Sequence, residues 1–285
     1  MIRTYYLLTK PGIIMGNLMT TSAGFLLGSQ GHVNLWLFLM TTLGLGCVIA
    51  SACVVNNCID RHADAKMERT KRRALVTGII SVQAAVCFAL LLGVIGAVLL
   101  WQYTNVWAFV SAWLGFFIYV VFYSVWKYRT MYATFVGSVA GAMPPVVGYS
   151  AAMGRLDLGA LILFALLLCW QMPHFFSISV YRSKEYQAAS IPVVAEELGS
   201  LALKRQTVLY ILLFLGMISM LFFFGYVSFL CLAVNFLIGM IWLRVAFQGF
   251  KREDYAKWAR QMFRISLIVI TGVSVMICSD RFFWF

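Results

Sequence analysis

Apolar runs of about twenty residues recur along this chain, and a run of that length is comfortable as a helix spanning the hydrocarbon core of a bilayer. They fall near 13–28, 35–55, 79–101, 105–126, 132–152, 158–180, 207–225, 228–247 and 263–279. Leu, Phe, Ala and Gly follow one another in these runs without the alternation of a membrane β-barrel strand. Charged residues make up 11% of the chain, where a soluble domain carries about 25%. The predicted fold class is an all-α integral membrane protein, a nine-transmembrane-helix bundle forming a single polytopic domain over residues 1–285. The short basic start, MIRTYYLLTKPG, precedes the first run but lacks a signal-peptide cleavage site, so that run is read as a retained span.

The net charge of +12 points to headgroups and topology, not to nucleic acid, because the bases sit in short loops between spans. With nine spans and an N-terminus inside, twenty of the 22 Lys and Arg fall on the cytoplasmic side, leaving Arg155 and Arg281 outside. That asymmetry predicts a cytoplasmic N-terminus, a periplasmic C-terminus and long cytoplasmic loops at 56–78, 181–206 and 248–262. The seven cysteines are scattered without a C-x-x-C pair and read as small packing residues, not as a zinc site or disulfide framework.

One polar island breaks the apolar pattern. Between Asn56 and Arg73, NNCIDRHADAKMERTKRR holds three of the ten acidic residues and six of the 22 bases. Asn56, Asp60 and Asp64 are spaced i, i+4, i+8, and each step turns only about 40° around a helix, so the three share a face. Hard oxygen donors grouped in this way suit Mg²⁺, which keeps several waters and is completed by substrate phosphates. Arg69, Lys71, Arg72 and Arg73 beside them can neutralise phosphate oxygens. A solvated, charge-paired loop is the plainer reading of the same residues.

An N-x-x-x-D-x-x-x-D pattern leaving a membrane helix resembles the first acidic motif of the UbiA superfamily of intramembrane prenyltransferases. TKPGII at 9–14, YSVWKYR at 123–129, GAMPPVVGY at 141–149, WQMPHF at 170–175 and KEYQAASIP at 184–192 narrow the likeness. Together they are similar to its haem-farnesylating branch, the protoheme IX farnesyltransferase family, over essentially the whole chain. The resemblance implies a helical bundle around a central cavity open at the cytoplasmic side of a bacterial inner membrane. It also implies Mg²⁺-assisted transfer of farnesyl from farnesyl diphosphate to a vinyl group of haem b, with water addition, giving haem O. A UbiA-type enzyme acting on a quinone precursor or another aromatic acceptor is the alternative. Haem b, farnesyl diphosphate and membrane lipid are the implied partners, with a terminal oxidase assembly or haem A synthase downstream.

The motif match places Asn56, Asp60 and Asp64 as metal ligands, with Asp60 and Asp64 catalytic. The superfamily's second acidic motif is reduced here to Glu185, a further metal ligand, and Lys184 and Arg182 join Arg69 and Arg73 as diphosphate contacts. Tyr123 and Lys127, i and i+4 on one helix face, read either as a belt tyrosine with a snorkelling lysine or as site residues. The resemblance makes Lys127 a diphosphate contact and sets Tyr123 near the allylic cation. His174, after Pro173, reads as a haem-iron ligand, a proton acceptor or a packing histidine, and the resemblance favours the haem pocket. Asn17, polar at membrane depth, reads as an interhelical hydrogen bonder or a second haem-pocket residue. A transporter and a non-catalytic haem carrier are weaker readings, because no acidic residue falls in the middle of a predicted span.

Overall fold

Polar caps set where the long helices begin. In the computed structural model, which describes residues 1–252 and 254–280, Asn34, Ser81, Asn105, Asp157 and Ser228 each accept a backbone N–H from the first turn of the helix that follows. Lipid offers a free N–H nothing, so a cap supplied by the side chain fixes the boundary. The helices in order are α1 (Ile2–Leu8), α2 (Pro11–Ser29), α3 (Leu35–Asp64), α4 (Val82–Tyr103), α5 (Val106–Phe117), α6 (Ser124–Trp126), α7 (Ala133–Gly141) and α8 (Met143–Met153). They continue with α9 (Leu158–Tyr181), α10 (Ser183–Ala188), α11 (Val194–Glu197), α12 (Ser200–Phe223), α13 (Phe229–Gln248) and α14 (Tyr255–Asp280). The described residues are all-helical, and seven segments are long and apolar enough to cross a membrane: α3, α4, α5 through α6, α9, α12, α13 and α14.

The predicted 132–152 span is divided at Ala142 into α7 and α8, and the Pro144–Pro145 pair opens α8, where missing N–H groups cost nothing. α2 packs along α8, and the two sit between two clusters of buried side chains. One cluster is built mainly by α9, α12, α13 and α14, the other by α3, α5 and α8. Outward faces keep Leu90, Leu91, Val94, Leu161, Leu237 and Ile268 exposed, as lipid-facing positions require.

Three predicted loops are shorter than expected, because helices extend into them. α3 runs to Asp64, nine residues past its predicted end, so the Asn/Asp motif is helical throughout. α12 begins at Ser200 and α14 at Tyr255, which puts Lys204, Arg205, Lys257 and Arg260 on helices. Cationic side chains at a helix end can lie along its surface toward the interface, so charge alone did not mark these boundaries. The short basic start that precedes the first predicted span forms α1. Arg281, counted above on the outer side, lies outside the described residues.

Candidate active site

The C-terminal turns of α3 carry the polar centre of the molecule. Asn56, Asn57, Asp60 and Asp64 are all buried, the last at 2% exposure. Each is met by a group from a different part of the chain. Lys127, just after α6, donates its Nζ to Asp60 Oδ2 at 2.5 Å, and Tyr128 donates its hydroxyl to Asp60 Oδ1 at 2.7 Å. Burial, and then the Asp60 charge, push the Tyr128 phenol well above its ordinary value, so it stays a donor. Arg73 donates to Asp64 Oδ2 at 2.6 Å and to Asn57 Oδ1 at 3.2 Å. Thr70 ties the return loop to the helix by donating to the Asp64 carbonyl at 2.9 Å.

Lys10 closes the cluster from the other side. Its Nζ donates to Asn56 Oδ1 at 2.5 Å, and Asn56 Nδ2 donates on to Ser124 Oγ at 2.9 Å. Lys10 holds a left-handed backbone conformation (φ 56°) between α1 and Pro11. A residue before proline is already steered away from the right-handed helical region, and positive φ in a lysine is a strained choice. The strained turn ends one helix, starts the next and aims the ammonium at α3. Burial is the main cause that brings its pKa from 10.5 down to about 8, and the Arg73 and Lys127 cations add repulsion.

Between α5 and α6 the chain forms a π-helical turn, Ile118–Tyr123. The widened turn closes i→i+5 hydrogen bonds and is a recurrent device at functional sites. Here it stacks Tyr119 on Tyr123, with centroids 5.3 Å apart and planes 17° from parallel. The Tyr119 carbonyl accepts both the backbone N–H of Ser124 and, at 2.8 Å, its hydroxyl. Lys127 Nζ stands 5.4 Å from the Tyr123 ring. Gly137 on α7 admits that ring, since a Cβ there would stand 2.9 Å from Tyr123 Cδ2.

The structure therefore brings together Asn56, Asp60, Asp64, Arg73, Lys127 and Tyr123. Among the described residues, the other candidates make no hydrogen bond or ion pair with these six. Arg69 stands 3.5 Å from Glu185, at ion-pair distance, and Glu185 Oε2 is buried without a hydrogen bond. Arg182 donates to Tyr181 at 3.0 Å, and Lys184 is exposed. Asn17 donates to the Ile13 carbonyl of its own helix at 2.8 Å. His174 packs against α14, with Nδ1 2.8 Å from Ser266 Oγ. Lys10, Asn57, Tyr119, Ser124 and Tyr128 were not singled out from the sequence. Lys10, Asn57, Ser124 and Tyr128 lie inside motifs that were.

Among the described residues no three His, Cys, Asp or Glu side chains gather at one point. The donor set still fits Mg²⁺, which needs one or two protein carboxylates when phosphates and water supply the rest. Lys10, Arg73 and Lys127 set three cations against the two carboxylates of Asp60 and Asp64. The site thus holds one more cation than carboxylate.

Fold and site thus define a polytopic helical membrane protein with a buried, cation-rich polar centre at one end of its bundle. The UbiA prenyltransferase family model matches residues 17–268. The chain is 49% identical over 280 residues, 98% of its length and 99% of the relative's, to the protoheme IX farnesyltransferase of Protochlamydia amoebophila. It is 48% identical over 98% of its length and 93% of the relative's to protoheme IX farnesyltransferase 2 of Chromobacterium violaceum. Among solved structures, that of a digeranylgeranylglyceryl phosphate synthase superposes with a TM-score of 0.82 at 15% identity, over 98% of each chain. A UbiA homologue from Archaeoglobus fulgidus bound to GPP and Mg²⁺ superposes with a TM-score of 0.69 at 15% identity, over 97% of this chain and 99% of that one. This chain belongs to the UbiA prenyltransferase family, and its fold is theirs.

Proposed function

We propose that the chain transfers the farnesyl group of farnesyl diphosphate to a vinyl group of haem b, with addition of water, to give haem O. The observation that carries this reading is identity of 48–49% to relatives named for that reaction, over nearly the full chain. The buried cluster supplies the chemistry. The C1–O bond of the allylic diphosphate breaks, and its electron pair leaves with the diphosphate. C1 then bonds to the outer vinyl carbon, and the resulting cation beside the porphyrin is captured by water, which loses a proton. Lys10, Arg73 and Lys127 are the groups that stabilise the departing charge, in a site too dry for water to do so. The stacked Tyr119 and Tyr123 offer aromatic faces to the allylic cation. Mg²⁺, held by Asp60 and Asp64 with Asn56 beside them, would neutralise the leaving diphosphate. Glu185 and Arg69, with Arg182 and Lys184, form the outer wall of the diphosphate site, and His174 with Asn17 belongs to the haem pocket.

In this reading α2 and the α7–α8 pair complete nine spans around a cavity open to the cytoplasm. The N-terminus is then cytoplasmic, the C-terminus periplasmic and the membrane a bacterial inner membrane, in keeping with twenty of 22 bases on one side.

Membranes containing the chain, given haem b, farnesyl diphosphate and Mg²⁺, are expected to form a species with the mass of haem O. Chelation by EDTA should abolish it, and added Mg²⁺ should restore it. Folded protein that leaves haem b unchanged but prenylates a quinone precursor would replace haem as the acceptor.

Lys10 gives this site a pH dependence. Its charged form binds the diphosphate, and that form declines as pH rises through about 8. The KM for farnesyl diphosphate is therefore expected to rise between pH 7 and pH 9, and kcat to fall with it, because the same charge stabilises the departing diphosphate. A Lys10→Arg chain should lose the rise, because guanidinium stays charged throughout. Lys10→Met should show a KM about 10-fold higher at pH 7, the loss of one charge-assisted contact. A wild-type KM that is flat over this range would remove Lys10 from the diphosphate site.

A further inference from the structure

We propose that Ser266 on α14 is a positioning residue that fixes the His174 imidazole as its Nδ1–H tautomer and leaves the Nε2 lone pair free to face haem iron. The inference rests on the haem reading above and comes from counting hydrogens. Ser266 is fully buried, and its Oγ lies 2.7 Å from the Phe263 carbonyl oxygen and 2.8 Å from His174 Nδ1. A carbonyl cannot donate and a hydroxyl carries one hydrogen, so that hydrogen goes to Phe263. The contact with His174 must then run the other way, with Nδ1–H donating to Oγ. Among the described residues no carboxylate contacts the ring, and its neighbours are Trp170, Phe175 and Phe263. Such surroundings favour a neutral imidazole with one N–H. With that hydrogen on Nδ1, Nε2 keeps its lone pair and has no hydrogen-bond partner among the described residues.

Ser266 also holds the residue one turn earlier on α9. Trp170 donates its Nε1 to the Ser266 carbonyl at 2.7 Å, and its ring stacks on His174 with centroids 4.8 Å apart and planes 23° from parallel. Phe263 covers the imidazole at 5.0 Å, so its plane is set by two aromatic rings and its rotation by one hydrogen bond. This is how proteins prepare a histidine for a metal, because the hydrogen bond at one nitrogen decides what the other can do. His174 lies two turns, about 10 Å, deeper than Tyr181 at the cytoplasmic end proposed for α9. That offset suits an acceptor held below the diphosphate cluster.

The test uses the full-length, haem-free protein labelled with [15N]histidine, whose three histidines are assigned by the loss of one signal in His174→Gln. Wild type is expected to show Nδ1 protonated and Nε2 unprotonated at His174. Ser266→Ala, which only removes an atom, should show a mixture of tautomers and bind haem b about 10-fold more weakly in a Soret titration. Ser266→Thr, which keeps the hydroxyl, should restore the single tautomer. An Nε2–H tautomer in wild type, or an unchanged single tautomer in Ser266→Ala, overturns the assignment. Failure of the haem reading shows separately: a His174→Ala chain that binds haem b as wild type does would remove the ligand role from Nε2 whatever the tautomer.

Discussion

Replacing Asp60 by Asn is expected to lower haem O formation about 10³-fold, or about 4 kcal/mol of transition-state stabilisation. Asp60 engages both carboxylate oxygens, one with Lys127 and one with Tyr128, and it is only 8% exposed. Asn keeps the shape. Its Oδ1 can accept from Lys127 and its Nδ2 can donate to the Tyr128 oxygen, so the hydrogen bonds survive while the charge does not. What is lost is one of two carboxylates able to hold Mg²⁺. The buried Lys127 ammonium also loses its counterion, a change that costs about 3–5 kcal/mol when a buried pair is broken. Lower activity could then arise from lower stability, and the double variant Asp60→Asn, Lys127→Met separates the two. Removing the stranded cation should recover the melting temperature and leave haem O formation at the level of the single variant or below. Initial rates at matched protein levels, with a thermal melt in detergent for each chain, decide it. A single variant within 10-fold of wild type would remove Asp60 from the chemistry.

That centre was half legible in the sequence, and the division follows from the physics of helices. Asn56, Asp60 and Asp64 could be placed on one face because helix periodicity is local. Their partners could not, because Lys10, Ser124, Lys127 and Tyr128 are 46 to 68 residues away in sequence. The same holds for His174 and Ser266, which are 92 residues apart. Lys127 and Tyr123 were found through their i, i+4 spacing, whereas Tyr119 depends on a π-helical turn that no pattern in IYVVFY announces. Arg73 was expected to contact phosphate but is held by Asp64, so its guanidinium serves the carboxylate when no anion is bound. The apolar runs located the helices, but helix ends were misjudged wherever a cationic stem continued the helix past the apolar run, as at Lys204 and Lys257. Gly141, the first residue of GAMPPVVGY, is a close-packing position, since a Cβ there would stand 2.1 Å from Gln171 Oε1.

Gly148→Ala is expected to be the most damaging single methyl group outside the polar centre. α2 and α8 approach so closely that a Cβ on Gly148 would stand 2.0 Å from the Thr21 carbonyl oxygen and 2.9 Å from the Phe25 nitrogen. The contact is reciprocal, since a Cβ on Gly24 would stand 2.1 Å from the Pro145 carbonyl oxygen and one on Gly28 would stand 2.5 Å from that of Tyr149. Gly24 and Gly28 form the G-x-x-x-G spacing by which membrane helices bring their backbones together. Every opposing atom named here is backbone, so no side chain can rotate away and the helices must separate. In lipid no hydrophobic force offsets the packing lost, and overpacking of this kind costs about 3 kcal/mol. The damage should also reach the polar centre, because α2 starts at Pro11 and carries Lys10 at its head. A displaced α2 pulls the ammonium from Asn56, so KM for farnesyl diphosphate should rise along with the fall in melting temperature. Gly216→Ala is the matched control, being a helical glycine in α12 with nothing within 4 Å of the added methyl. There the higher helix propensity of alanine should leave stability unchanged or slightly raised. Equal melting temperatures for the two variants would mean that α2 and α8 are not locked backbone to backbone.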